Sequence, residues 1–98
     1  MTLPVTLRAE AQADFDAAVH WYQSQRAGLG AEFAERVQET LDRIAARPEL
    51  YPRVLPDVRR AMVRRFPYLI IYQVEPDRIV VVSIVHGSRD PRLWYERL

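Results

Sequence analysis

The chain has 98 residues, about half of them apolar, with 14 basic residues against 13 acidic ones and a net charge of +1. That length supports one core, so a single domain spanning residues 1–98 is expected, with much of its surface exposed. No apolar run approaches the ~20 residues of a membrane span, and the start Met1-Thr2-Leu3-Pro4 lacks the basic and then apolar make-up of a secretory signal. The absence of cysteine excludes disulfides and thiolate metal sites, and points to a cytoplasmic protein.

Leu3, Val5 and Leu7 alternate with Pro4, Thr6 and Arg8, the pattern of a short strand that Pro4 confines to a sheet edge or a strand start. From about Ala9 the period becomes helical: Ala11, Phe15, Ala18, Val19 and Tyr22 share a face, and Glu10, Asp14 and Asp16 suit the positive N-terminal end. No clear cap residue precedes this helix. Gly28 and Gly30 interrupt the pattern. A second helix then carries the stripe Phe33, Val37, Leu41 and Ile44, with outer-face pairs Glu32–Arg36 and Glu39–Arg43 four residues apart. Pro48 stops it. The ranges 9–26 and 30–47 therefore predict an antiparallel helical hairpin.

The remainder reads as sheet. Residues 50–55, punctuated by Pro52 and Pro56, make a short edge strand or an extended connector. Residues 59–65 form a plausible strand with an unusual load of Arg, and 68–75 and 78–86 are strong β runs joined by a turn at Glu75-Pro76-Asp77-Arg78. In the tail, Asp90 and Pro91 suit the start of one or two helical turns. The two β runs are apolar on both faces, while the hairpin covers only one. The second face must therefore be covered by the tail, through Trp94, Tyr95 and Leu98, or by another chain.

Charge is unevenly distributed. Residues 1–58 hold six Arg against nine acids, a balance of −3, and residues 59–98 hold eight Arg against four, a balance of +4. Every basic residue is Arg, which fits a codon bias as readily as a function. The split suggests that the C-terminal half meets something anionic, since guanidinium forks match carboxylate and phosphate oxygens.

The order strand, helix, glycine turn, helix, proline-rich connector and Arg-bearing meander resembles the RelE/ParE toxin superfamily over essentially the whole chain. Two stretches carry that resemblance: Arg59-Arg60…Arg64-Arg65-Phe66-Pro67-Tyr68-Leu69-Ile70-Ile71-Tyr72, and Val85-His86-Gly87-Ser88-Arg89-Asp90-Pro91…Trp94. The second is similar to the His-Gly-Ala-Arg-Asp ending of ParE-like members. The resemblance implies an α+β fold, a helical hairpin packed on one face of a small antiparallel sheet. It also implies a cognate antitoxin as partner, no cofactor, and no sequence-specific DNA binding except through the antitoxin.

Two activities occur in the superfamily, and the fold does not choose between them. ParE-like members act on DNA gyrase; RelE-like members cut mRNA on the ribosome without a metal. A nuclease reading assigns catalysis to His86, Arg64, Arg65, Arg89 and Tyr95, since the 2′-hydroxyl needs a base, the leaving oxygen a proton and the phosphate cations. The plain alternative for His86 is a hydrogen bond to the turn at Gly87. Gly87 stands where some related nucleases place a Tyr, and no Lys cluster is present, so the resemblance lies closer to the gyrase-directed branch. On that reading Arg64, Arg65, Arg89, Arg92 and Trp94 contact the target, and Arg59, Arg60 and Arg64 bind the antitoxin. Trp94 also suits a core anchor for the tail. A third possibility is a non-toxic protein of this fold that only binds its antitoxin. With two His and no Cys, no metal site is expected.

Overall fold

The computed structural model describes residues 2–98. Strand β1 (Val5–Leu7) leads into α1 (Ala9–Gln25) and α2 (Leu29–Ala46). A single 3-10 turn, Pro48–Leu50, precedes β2 (Arg53–Leu55), β3 (Val58–Met62), β4 (Tyr68–Val74), β5 (Ile79–His86) and the short α3 (Arg92–Tyr95). The helical hairpin is found within a residue of its expected ends, and the two β runs pair antiparallel as β4 and β5. Two expectations change. The five strands lie in the order β1-β5-β4-β3-β2, and β1 runs parallel to β5, so the sheet is mixed rather than wholly antiparallel. A strand followed by the α1–α2 hairpin on one face can return beside β5 in the same direction, which no residue pattern announces. The second change is that β3 ends at Met62, which places Arg64 and Arg65 in the turn to β4.

The hairpin is tied locally. Gly28 adopts φ +89°, a left-handed conformation favourable to glycine. The Gln23 side-chain oxygen accepts the N–H groups of Gly28 and Gly30 at 3.1 and 3.2 Å, satisfying donors that the start of α2 leaves open. At Gly30 the helices approach closely: a Cβ there would lie 2.7 Å from the Val19 carbonyl oxygen and 3.0 Å from Gln23 Cβ. Gly30→Ala is therefore expected to cost about 1–3 kcal/mol by overpacking. A fall in the urea midpoint at unchanged slope checks it, and an unchanged midpoint contradicts it.

On the helical face the core gathers Ala11 and Ala18 of α1, Phe33, Val37 and Ile44 of α2, and Ala61, Ile70, Tyr72, Ile79, Val81 and Ile84 of the sheet. Arg59 also lies on this side by strand alternation, its partner across the ladder being Tyr72. Its guanidinium donates to the carbonyls of Glu49 and Tyr51 at 3.2 and 2.6 Å, pinning the connector. The opposite face is covered in its centre by Trp94, which is 7% exposed and packs with Val58, Ile71 and Val82. Met62, Leu93, Tyr95 and Leu98 remain exposed, so the tail covers only part of what the sequence left open.

Burial pushes the hydroxyls of Tyr72, Tyr68 and Tyr22 above the ordinary tyrosine value of 10.0; Tyr72 also donates to the Pro48 carbonyl at 2.6 Å. A raised folded pKa gives stability that is complete below the unfolded value and is lost as pH rises through the folded one. Alkaline titration of phenolate absorbance should show a late fraction, above the ordinary tyrosine range, that ionises together with loss of circular dichroism. Complete ionisation in a single step near the ordinary value, with the fold intact, contradicts this packing.

Candidate functional site

β1 pairs with β5 only as far as Leu7 and Val81, so the C-terminal half of β5 has no strand on that side. Helix α1 crosses beside it, and the space between them is a cleft of about 850 Å³. Its walls are Ala17, Trp21 and Tyr22 of α1, Tyr68 at the start of β4, His86 at the end of β5, Arg89 beyond it, and Leu93 and Arg97 of the tail. Trp21 is 54% exposed on the rim, with its ring edge-on to Tyr22 at 5.0 Å.

His86 faces Tyr68 across the strand pair, their rings perpendicular and 5.5 Å apart. Its Nδ1 lies 3.1 Å from the Ser88 backbone nitrogen and 2.7 Å from Ser88 Oγ. A backbone N–H can only donate, so Nδ1 is the acceptor and the neutral ring carries its proton on Nε2. The imidazole thus secures the turn leaving β5, and its basic lone pair is used internally. No carboxylate hydrogen-bonds it among the described residues. Arg89, exposed on the cleft, makes no side-chain hydrogen bond or ion pair among the described residues. Burial raises the Tyr68 hydroxyl pKa, and the nearby Arg89 charge partly opposes that.

Of the five residues expected to cut RNA, the structure brings His86 and Arg89 together in the cleft, while Arg64, Arg65 and Tyr95 do not line it. Arg64 extends toward α2, where Glu39 sits among Arg36, Arg43 and Arg64 at 3.0, 3.2 and 3.5 Å. Burial pushes the Glu39 carboxyl up, but the Arg36 hydrogen bond and the three positive charges outweigh it and leave its pKa lowered. Arg65 holds the turn at φ 70°, the left-handed region that a non-glycine residue enters at a cost of about 1 kcal/mol. Tyr95 stacks on Trp94 at 5.0 Å.

The residues expected to contact a target also divide. Arg89 has no side-chain partner among the described residues, Arg92 is held by both oxygens of Asp90 at 2.6–3.0 Å, and Trp94 is buried against the sheet, which removes it from the accessible surface. Arg59 and Arg60 point to opposite faces, Arg60 pairing with Ile71 on the Trp94 side, so the expected antitoxin-binding trio is not one patch. Among the described residues no group of three potential metal ligands is found, and no helix is long and apolar enough to cross a membrane.

Two functional-region residues escape a sequence reading. Asp14 and Arg97, 83 positions apart, meet at 2.6 Å on the cleft wall. Asp14 falls three residues after Ala11 and four before Ala18, both buried, so its place on the inner stripe of α1 was the available signal.

The family model for the ParE toxin of type II toxin–antitoxin systems, parDE, matches residues 5–91. The chain belongs to the ParE toxin family. The fold is similar to that of a solved chromosomal ParDE system from P. aeruginosa, with a TM-score of 0.76 and 18% identity over 87% of this chain and 96% of that one. It is also similar to a free double arginine-to-alanine mutant of E. coli toxin RelE, with a TM-score of 0.73 and 18% identity over 99% and 94% of the two chains. The same mutant in complex with an antitoxin RelBc peptide aligns with a TM-score of 0.67 and 17% identity over 100% and 96%. No curated protein matches significantly.

Proposed function

We propose that this ParE-family chain is the toxin of a type II pair, neutralised by a cognate antitoxin and acting on DNA gyrase by protein contact rather than by cutting RNA. The observation that carries this reading is the state of His86. Its Nδ1 is committed to Ser88, and the surrounding cleft offers aromatic surface and an unpaired Arg89. Aromatic and Arg side chains are the types enriched at interface hot spots, whereas proton transfer needs a base with a free lone pair. Membership of the ParE family supports gyrase as the target.

An antitoxin is supported by the family and by the exposed side chains around the sheet's second face. Arg60 and Met62 there remain available to a partner. Such a complex should bury on the order of 1,200 Å² or more, and the protein encoded by an adjoining reading frame should co-purify with the chain.

The function is tested by inducible expression with separate readouts of translation and plasmid supercoiling. Growth arrest with lost negative supercoiling is expected. His86→Gln should leave the arrest nearly intact, whereas Arg89→Ala, the loss of a hot-spot side chain, should weaken it by ~30-fold. Arrest with normal supercoiling and cut ribosome-bound mRNA contradicts the proposal.

A further inference from the structure

Next to β5 the segment that carries Arg89 is held by the Gly87 N–H donating to the Pro67 carbonyl at 2.7 Å and the Arg89 N–H donating to the His86 carbonyl at 3.0 Å, but beyond Arg89 little holds it locally. Residues 87–93 are exposed, and α3 is four residues long, far short of the ~12–15 that an isolated helix needs in water. Among the described residues the Arg92 and Asp90 side chains pair only with each other. The segment is therefore fixed from its ends and by Trp94. One end is β5; the other is Arg97, the penultimate residue.

Arg97 is bound with unusual completeness. Its guanidinium donates to Asp14 Oδ2 at 2.6 Å and Oδ1 at 3.1 Å, to Ser83 Oγ at 3.0 Å, and to the Val82 carbonyl at 3.3 Å. Arg8 returns a bond to the Arg97 carbonyl and a second to Gln73 Oε1, at 3.2 Å. The same Asp14 Oδ2 accepts Ser83 Oγ and the Ile84 N–H, both at 3.1 Å. Arg97 and Asp14 are 24% and 18% exposed, so this is a largely desolvated pair with most of its polar atoms used.

The strand supplies the groups to be clasped. The ladder between β4 and β5 pairs Ile71 with Ser83 and Tyr72 with Val81, leaving Val82 as an extra residue in a bulge. β1 ends at Leu7, opposite Val81, so the Val82 carbonyl and the Ile84 N–H have no strand beside them. Asp14 comes from the helical face, whereas Trp94 lies on the other face of the sheet. Arg97 thus reaches around the strand edge and ties the two layers together where the cleft opens.

We propose that Asp14, Ser83 and Arg97 form a clasp that positions the 87–95 segment, and with it Arg89, for contact with the toxin's target. The inference rests on the reading of that segment as the contact surface. Asp14 and Arg97 line the cleft, but their polar atoms are spent on each other and on β5, so they are positioning residues. Opening the clasp lets the segment leave its docked form; if that form falls to a tenth of the population, apparent affinity falls about 10-fold.

The test uses the full chain with Arg97→Gln, which keeps a polar side chain but loses the charge and the fork. The chain has two Trp, so a Trp21→Phe background makes Trp94 the sole reporter of the tail. Adding Arg97→Gln should then red-shift Trp94 emission and increase its quenching by acrylamide, while amide protection in β3 and β4 is retained. In the native background the same change should weaken growth arrest about 10-fold at equal protein level. Gly30→Ala, destabilised away from the tail, should keep the arrest, which separates positioning from general loss of stability. Trp94 still protected, or undiminished arrest, in Arg97→Gln overturns the clasp, as does an equal loss of arrest in Gly30→Ala. Arg89→Ala distinguishes the two ideas. If it leaves arrest intact, the contact reading falls; if it abolishes arrest while Arg97→Gln does nothing, the clasp alone falls.

Discussion

Phe33→Ala should remove about 3–5 kcal/mol of stability, a large share of the 5–15 kcal/mol typical of a domain. Phe33 is fully buried, and its ring stands 5.0–5.2 Å from those of Tyr22, Phe66 and Tyr68, the last two edge-on. One side chain of α2 thereby joins α1, the β3–β4 turn and β4. The truncation leaves a cavity that aromatic neighbours on three different elements cannot readily close. Urea unfolding should show the loss as a lower midpoint with little change of slope. A loss below about 0.5 kcal/mol, the level of a surface change, contradicts the packing.

Asp14→Ala should be of similar size, about 3–5 kcal/mol, for an electrostatic reason. The carboxylate accepts from Arg97, from Ser83 Oγ and from the Ile84 N–H, so its removal strands a partly buried cation together with two donors. Arg97→Gln should cost less, because the carboxylate keeps the Ser83 and Ile84 donors. The double variant Asp14→Ala with Arg97→Gln should recover part of the Asp14→Ala loss by removing the orphaned charge. Losses in the two single variants that add fully in the double one contradict a coupled pair. The measurement is a double-mutant cycle by urea unfolding.

These two sites show what the sequence made legible. Phe33, Val37, Leu41 and Ile44 repeat at helical spacing, so the inner face of α2 was evident from local pattern alone. The apolar runs now seen as β4 and β5 were equally plain, as was the need to cover their second face, which Trp94 meets in part. Asp14 looked like an ordinary acid near a helix start, because its meaning depends on an arginine 83 residues away and on a bulge in β5. The parallel pairing of β1 is likewise a property of topology. Arg64 and Arg65 sat within a β-like run, but the ladder closes with the Val63 N–H donating to the Tyr68 carbonyl at 2.9 Å, and both arginines fall into the turn between. The strand-end position of His86 is legible in the β pattern; its hydrogen bond to Ser88 instead of a reacting group is a matter of side-chain geometry that spacing does not reveal.

The most direct measurement places the purified chain, and its His86→Gln variant, in two reactions in parallel: supercoiling of relaxed plasmid by DNA gyrase, and integrity of mRNA on translating ribosomes. A contact toxin of the ParE family inhibits supercoiling equally with either histidine or glutamine at position 86 and leaves the mRNA whole. Cut mRNA with unimpaired supercoiling, and cleavage slowed ~100-fold or more by His86→Gln, is the result that contradicts it.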